Sequence, residues 1–131
     1  KKDLIVKIKK IGQYKNNIEF FNLDATDFLL NIVCQYPKNE IFLNIDPPYV
    51  KKGSSLYENA FKYEDHAQLS NIIKTLDYNW IVTYDKCDFI DNLFSDYRKE
   101  SLNLNYSAGQ TKSGEEYLIY GNSLIALTNG E

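Results

Sequence analysis

Methionine is absent from this 131-residue chain, histidine and tryptophan occur once each, and cysteine only twice. Cys34 and Cys87 stand far apart, with no Cys-x-x-Cys spacing and no clustered histidine, which excludes zinc ribbons and dithiol redox motifs and predicts no metal site. Two reduced, mostly buried thiols are expected instead. No uninterrupted apolar run approaches the roughly 18 to 20 residues needed to cross a bilayer, and no apolar leader with a small-residue cleavage site opens the chain. A cytoplasmic protein with no membrane partner is expected. The missing methionine and the abrupt opening KKDLIVKIKK predict a fragment whose start codon and upstream region lie elsewhere. Internal repeats, low-complexity tracts and Pro/Gly/Ser linkers are lacking as well.

What is present is enough for a core. With 44% hydrophobic and 25% charged residues, wholesale disorder, collagen-like repeats and a disulfide mini-protein are excluded, and the length predicts one domain or a piece of one. The formal charge of -3 argues against a uniformly basic nucleic-acid binder. Lys1, Lys2, Lys7, Lys9, Lys10 and Lys15 against Asp3 nevertheless make the first fifteen residues net +5, leaving -8 for the remainder. Such a run is either a solvated helix face or a means of approaching phosphates.

Apolar periods alternate between helix-like and strand-like along the chain, the pattern of an α/β fold. Leu4, Ile5, Ile8, Ile11 and Tyr14 share one helical face, with Gly12 and Asn16-Asn17 at the helix end. A strand is predicted over Ile18–Leu23, then a helix capped by Thr26, with Asp27 in its first turn and a buried stripe of Phe28, Ile32, Val33 and Tyr36 ended by Pro37. Glu40–Asp46 is nearly continuous in apolar residues and predicts a parallel strand covered on both faces. Leu69, Ile72, Ile73 and Leu76 mark a helix, Trp80–Tyr84 a strand, and Phe89, Ile90, Leu93, Phe94 and Tyr97 a further helix. Leu102, Leu104 and Tyr106, a loop over 107–115 and Glu116–Tyr120 read as a terminal antiparallel hairpin.

Asp46-Pro47-Pro48-Tyr49 falls at the carboxyl end of a predicted strand, where open α/β sheets place their ligands. Two prolines stiffen the turn and remove two backbone donors, leaving a carboxylate, carbonyl acceptors and an aromatic ring. That set suits a planar amine. The lone pair of an exocyclic amine on a nucleobase is delocalised into the ring, so the amine is a poor nucleophile until something relocalises it. Asp46 and the Pro47 carbonyl can each accept one amine hydrogen while the Tyr49 ring stacks on the base. The bare four letters are also compatible with a turn that merely ends a strand.

The Asp46-Pro47-Pro48-Tyr49 turn, the upstream IEFFNLDATDF (Ile18–Phe28), the downstream KKGSSLYENAFKYEDHAQLS, the WIVTYD strand and the LNYSAGQTKSGEEYLIY hairpin together resemble the Dam-type DNA adenine-specific (N6) methyltransferases. The resemblance implies a partial Rossmann-like, S-adenosylmethionine-dependent methyltransferase sheet with a C-terminal antiparallel hairpin. It assigns methyl transfer to Asp46, Pro47, Pro48 and Tyr49, and cofactor contacts to Asp24, Ala25 and Asp46. By the same resemblance Lys51, Lys52, Tyr57, Phe61, Tyr106 and Lys112 face double-stranded DNA with a flipped adenine, and a restriction enzyme of the same system is an implied partner. The family's Phe-x-Gly-x-Gly loop and its lysine-containing N-terminal motif have no counterpart here. The expectation is therefore the catalytic half of a domain, with its first strands missing and residues 1–14 forming a helix that leads out of an upstream recognition region.

Bland roles stand beside these. Asp24 can be a helix N-terminal acid, Lys51 and Lys52 solvated loop lysines, and Tyr106 a core residue. His66, near the start of a predicted helix, is expected at a surface or capping position. Methylation of cytosine N4, an RNA adenine or a protein glutamine would use a related turn, and a non-catalytic DNA-binding or partner-binding remnant would explain the missing glycine loop.

Overall fold

The computed structural model describes residues 2–51, 61–106 and 112–121, and the chain divides into two compact units, Lys1–Val33 and Cys34–Glu131. In the first unit, helix α1 (Lys2–Gly12) carries the lysines and apolar residues of the opening run, and Leu4, Ile5, Ile8 and Ile11 are exposed. A single 3-10 turn follows at Lys15–Asn17. The strand expected over Ile18–Leu23 is not formed: the segment has no ladder partner among the described residues, and a strand without a neighbour leaves its backbone groups to water. Phe20, Phe21 and Leu23 are exposed along it.

The next helix starts two residues earlier than expected. Asp24, in extended conformation, accepts a 2.8 Å hydrogen bond from the Thr26 backbone N–H, so Asp24 and not Thr26 is the cap. The helix runs as a regular turn, α2 (Ala25–Asp27), a widened π turn at Phe28–Ile32 and a 3-10 turn at Val33–Gln35. Changing pitch twice shifts the inward face: Leu29 and Val33 are buried, Phe28 and Ile32 half-buried, and Tyr36 is exposed.

The second unit is a four-stranded mixed sheet in the order β1-β2-β4-β3. β1 (Phe42–Ile45) pairs in parallel with β2 (Asn79–Asp85), and the connection between them carries α3 (Tyr63–Thr75). β2 leads through α4 (Asp88–Leu93) to β3 (Lys99–Tyr106), which forms the expected antiparallel hairpin with β4 (Lys112–Tyr120); β4 also lies antiparallel to β2. The hairpin's second strand begins at Lys112 rather than Glu116, so the 107–115 loop is shorter than the sequence suggests. Pro37 opens a 3-10 turn at Lys38–Glu40, which delays β1 to Phe42. β1 is not covered on both faces either. At the sheet margin its residues alternate, Leu43 buried between exposed Phe42 and Asn44.

α3 buries His66, Leu69, Ser70 and Ile73, a spacing of one helical face, against a sheet whose β2 contributes Trp80, Val82 and Tyr84 at alternate positions. Ile90, Phe94 and Ile119 complete the core. α4 ends at Leu93, short of Tyr97, because Phe94 leaves helical geometry and the chain turns through a Tyr97 N–H bond to the Phe94 carbonyl.

His66 is the clearest departure in this unit. At 1% exposure it is a core residue, with rings of Phe61 and Tyr84 at 5.3 and 5.5 Å and Nδ1 at 3.1 Å from the Tyr84 hydroxyl. Its Nε2 is buried without a hydrogen-bond partner among the described residues. Burial holds its pKa below the ordinary 6.5, against opposing pulls from Asp85 and Asp65. The folded chain therefore binds fewer protons at this site than the unfolded chain once the pH drops below about 6.5, and stability falls with it. We expect thermal melting followed from pH 7.5 to 5 to show a smaller loss in His66→Gln than in the wild type; equal losses in the two would reject the assignment.

Candidate active site

β1 delivers the chain into the Asp46–Lys51 turn beside the carboxyl end of β2. The parallel register continues one step beyond Ile45 opposite Val82, so Asp46 meets Thr83, whose Oγ1 donates to Asp46 Oδ1 at 2.6 Å. Asp46 is exposed, Pro47 is buried, and Pro48 and Tyr49 are half-buried. The turn is thus anchored by a ring in the core and presents its carboxylate to solvent.

Asp85, the last residue of β2, closes the other side. Its Oδ1 accepts the Val50 backbone N–H and its Oδ2 the Lys51 backbone N–H, both at 2.8 Å. Glu116, on β4, accepts a hydrogen bond from the Tyr49 hydroxyl. Both carboxylates are buried, Asp85 at 7% and Glu116 at 6% exposure. Burial first, then the bond to Glu116 and the charges of Glu116, Asp46 and Asp85, push the Tyr49 pKa well above the ordinary phenol range. The phenol stays protonated and serves as a donor, which excludes it as a general base at neutral pH.

Cations near the turn are partly committed. Lys51 Nζ donates to the Lys86 carbonyl at 3.1 Å, and Lys86 Nζ lies 3.5 Å from Glu115. An ammonium has three donors, so a single bond to a carbonyl does not consume Lys51. Phe61 is half-buried against His66. Tyr106 and Lys112 pair with each other in register at the last rung of the hairpin, while Lys52 and Tyr57 lie outside the described residues. Among the described residues no three His, Cys, Asp or Glu side chains gather as a metal cluster.

A family model described as D12 class N6 adenine-specific DNA methyltransferase matches residues 1–108. The chain belongs to this family. No curated protein matches it. The family's reaction is methyl transfer to adenine in DNA, and D12 methyltransferases draw the methyl group from S-adenosylmethionine.

The first unit offers one place to test against that cofactor. A cavity of about 320 Å³ is lined by Glu19, Phe20, Phe21, Leu23, Ala25 and Phe28. Its walls are largely apolar and aromatic, suited to a flat heteroaromatic ring, and Asp24 falls between two lining residues with one carboxylate oxygen engaged by Thr26. The residues present therefore fit the adenine end of the cofactor. Neither Gly12 nor Gly121 supplies a cradle for the methionyl end: Gly12 has nothing within 4 Å of a would-be Cβ, and at Gly121 that Cβ would meet the Trp80 indole at 3.0 Å.

Thr83, Asp85 and Glu116 escaped the sequence reading. Asp85 carried a usable signal, a carboxylate at the end of the strand next to Asp46's own. Glu116 carried a weaker one, an acid amid the apolar residues of β4.

Proposed function

We propose that this chain transfers a methyl group from S-adenosylmethionine to the N6 amine of an adenine flipped out of double-stranded DNA, as part of a DNA-modification or restriction-modification system. The observation that supports it most is the Asp46–Tyr49 turn itself: an outward carboxylate and a tethered aromatic ring on a backbone stiffened by two prolines.

In this reading Asp46 accepts one amine hydrogen and the Pro47 carbonyl the other, which draws the nitrogen lone pair out of conjugation with the ring. Tyr49 stacks on the extruded base, at an unstacking cost of a few kcal/mol that contacts to the base offset. Bound S-adenosylmethionine supplies an electrophilic methyl carbon on a sulfonium sulfur. Breaking the carbon–sulfur bond would release the neutral thioether S-adenosylhomocysteine, and the proton the amine gives up would pass to Asp46 and on to water. Asp24, Ala25 and Asp46 would hold the cofactor. Lys51, Lys52, Tyr57, Phe61, Tyr106 and Lys112 would meet the DNA, the lysines through phosphates and the rings through bases. A Rossmann-like sheet is the architecture this reading assigns to the four strands.

The chain incubated with methyl-labelled cofactor and mixed-sequence duplex DNA should yield labelled N6-methyldeoxyadenosine after digestion to nucleosides. Label on cytosine N4 or on protein, or none on DNA, would overturn the reading.

A further inference from the structure

We propose that Asp85 is a positioning residue whose buried carboxylate fixes the direction in which the Asp46–Lys51 turn presents Asp46 and Tyr49. The inference rests on the functional reading above and extends it to a residue outside the Asp-Pro-Pro-Tyr motif.

Pro47 and Pro48 have no N–H, so this turn offers the fold few backbone handles. Two of them, the N–H groups of Val50 and Lys51, are taken by Asp85, one on each oxygen. A carboxylate that accepts from two successive amides restrains both position and orientation, since neither bond can lengthen without the other bending. The same strand holds the entrance of the turn, where Thr83 donates to Asp46. Alternate residues at the end of β2 thus grip the turn before and after its prolines, in a register set by the parallel pairing of Ile45 with Val82.

The environment argues that geometry is what this carboxylate supplies. On a strand that buries Trp80, Val82 and Tyr84, a charge at 7% exposure is unfavourable unless its oxygens are satisfied. Asparagine matches its shape but has one acceptor, and turns an NH2 toward the second amide. Glutamate keeps both acceptors on a stem one methylene longer.

The test compares wild type, Asp85→Asn and Asp85→Glu in the whole chain. In Asp85→Asn, hydrogen exchange at the Val50 and Lys51 amides should accelerate at least about tenfold while the β2–β4 ladder amides keep their rates. In the same variant kcat for methyl transfer should fall about tenfold or more, with KM for DNA changing less than about threefold, and Asp85→Glu should recover part of both effects. Unchanged exchange at Val50 and Lys51, equal acceleration throughout the ladder, or an unchanged kcat would each overturn the proposal. A wild-type chain that methylates no DNA would overturn the functional reading instead, leaving exchange at the two amides to decide whether Asp85 holds the turn.

Discussion

Asp46→Ala should lower methyl transfer by about a thousandfold, the scale on which a lost transition-state hydrogen-bond partner is felt, while leaving the melting temperature nearly unchanged. The two halves of that expectation have separate causes. Asp46 is exposed, and its one bond to another described residue comes from Thr83, a half-buried side chain that water can satisfy. Removing it opens no cavity and strands no buried charge. The catalytic loss comes from the amine hydrogen left without its acceptor, so the nitrogen lone pair stays in the ring, and from the proton left without a receiver. Single-turnover transfer and thermal melting on the same preparation check both. Turnover within tenfold of wild type would remove Asp46 from the chemistry, and a large fall in melting temperature would make it structural.

Tyr49 gives the second large effect, with a different partition between its ring and its hydroxyl. Tyr49→Ala deletes the stacking surface and should reduce transfer by about a hundredfold, with weaker capture of DNA, since base–aromatic stacking is worth roughly 1 to 3 kcal/mol. Tyr49→Phe keeps the ring and should hold activity within about tenfold. It should nonetheless lower stability by about 1 to 2 kcal/mol, because Glu116 is buried and loses the hydroxyl it accepts from. The bond to Glu116 separates the two properties. Denaturant melts of the two variants, beside their transfer rates, distinguish the roles. A phenylalanine variant as inactive as the alanine one would move the hydroxyl into catalysis.

Much of this was legible because local patterning and global packing agree in the second unit. The alternation of Trp80, Val82 and Tyr84, the helical spacing of Leu69 and Ile73, and the position of Asp46 just beyond a strand all follow from periods that each element must satisfy on its own. Agreement fails where a residue's state depends on a neighbour distant in sequence. Ile18–Leu23 has strand composition but no ladder partner among the described residues, and β1 reads as doubly covered although it lies at the sheet margin. His66 looks polar and peripheral by type, yet the rings of Phe61 and Tyr84 enclose it. Asp85 and Glu116 become meaningful only when the sheet order brings β2 and β4 beside the turn. Their spacing from Asp46 obeys no period.

The ties that shape the turn span long stretches of chain: Val50 to Asp85 is 35 residues and Tyr49 to Glu116 is 67. Loop-closure entropy makes contacts of that separation expensive before the intervening structure exists, so they form late in folding. As a nascent chain emerges, α3 and the β1–β2 pair can assemble with Asp85 already in reach, but the Tyr49 hydroxyl waits for β4, the last strand among the described residues. The Asp46–Lys51 turn acquires both restraints only once β4 has docked. Fraying of the β3–β4 hairpin releases Tyr49 first, which couples the geometry of the turn to the integrity of β4.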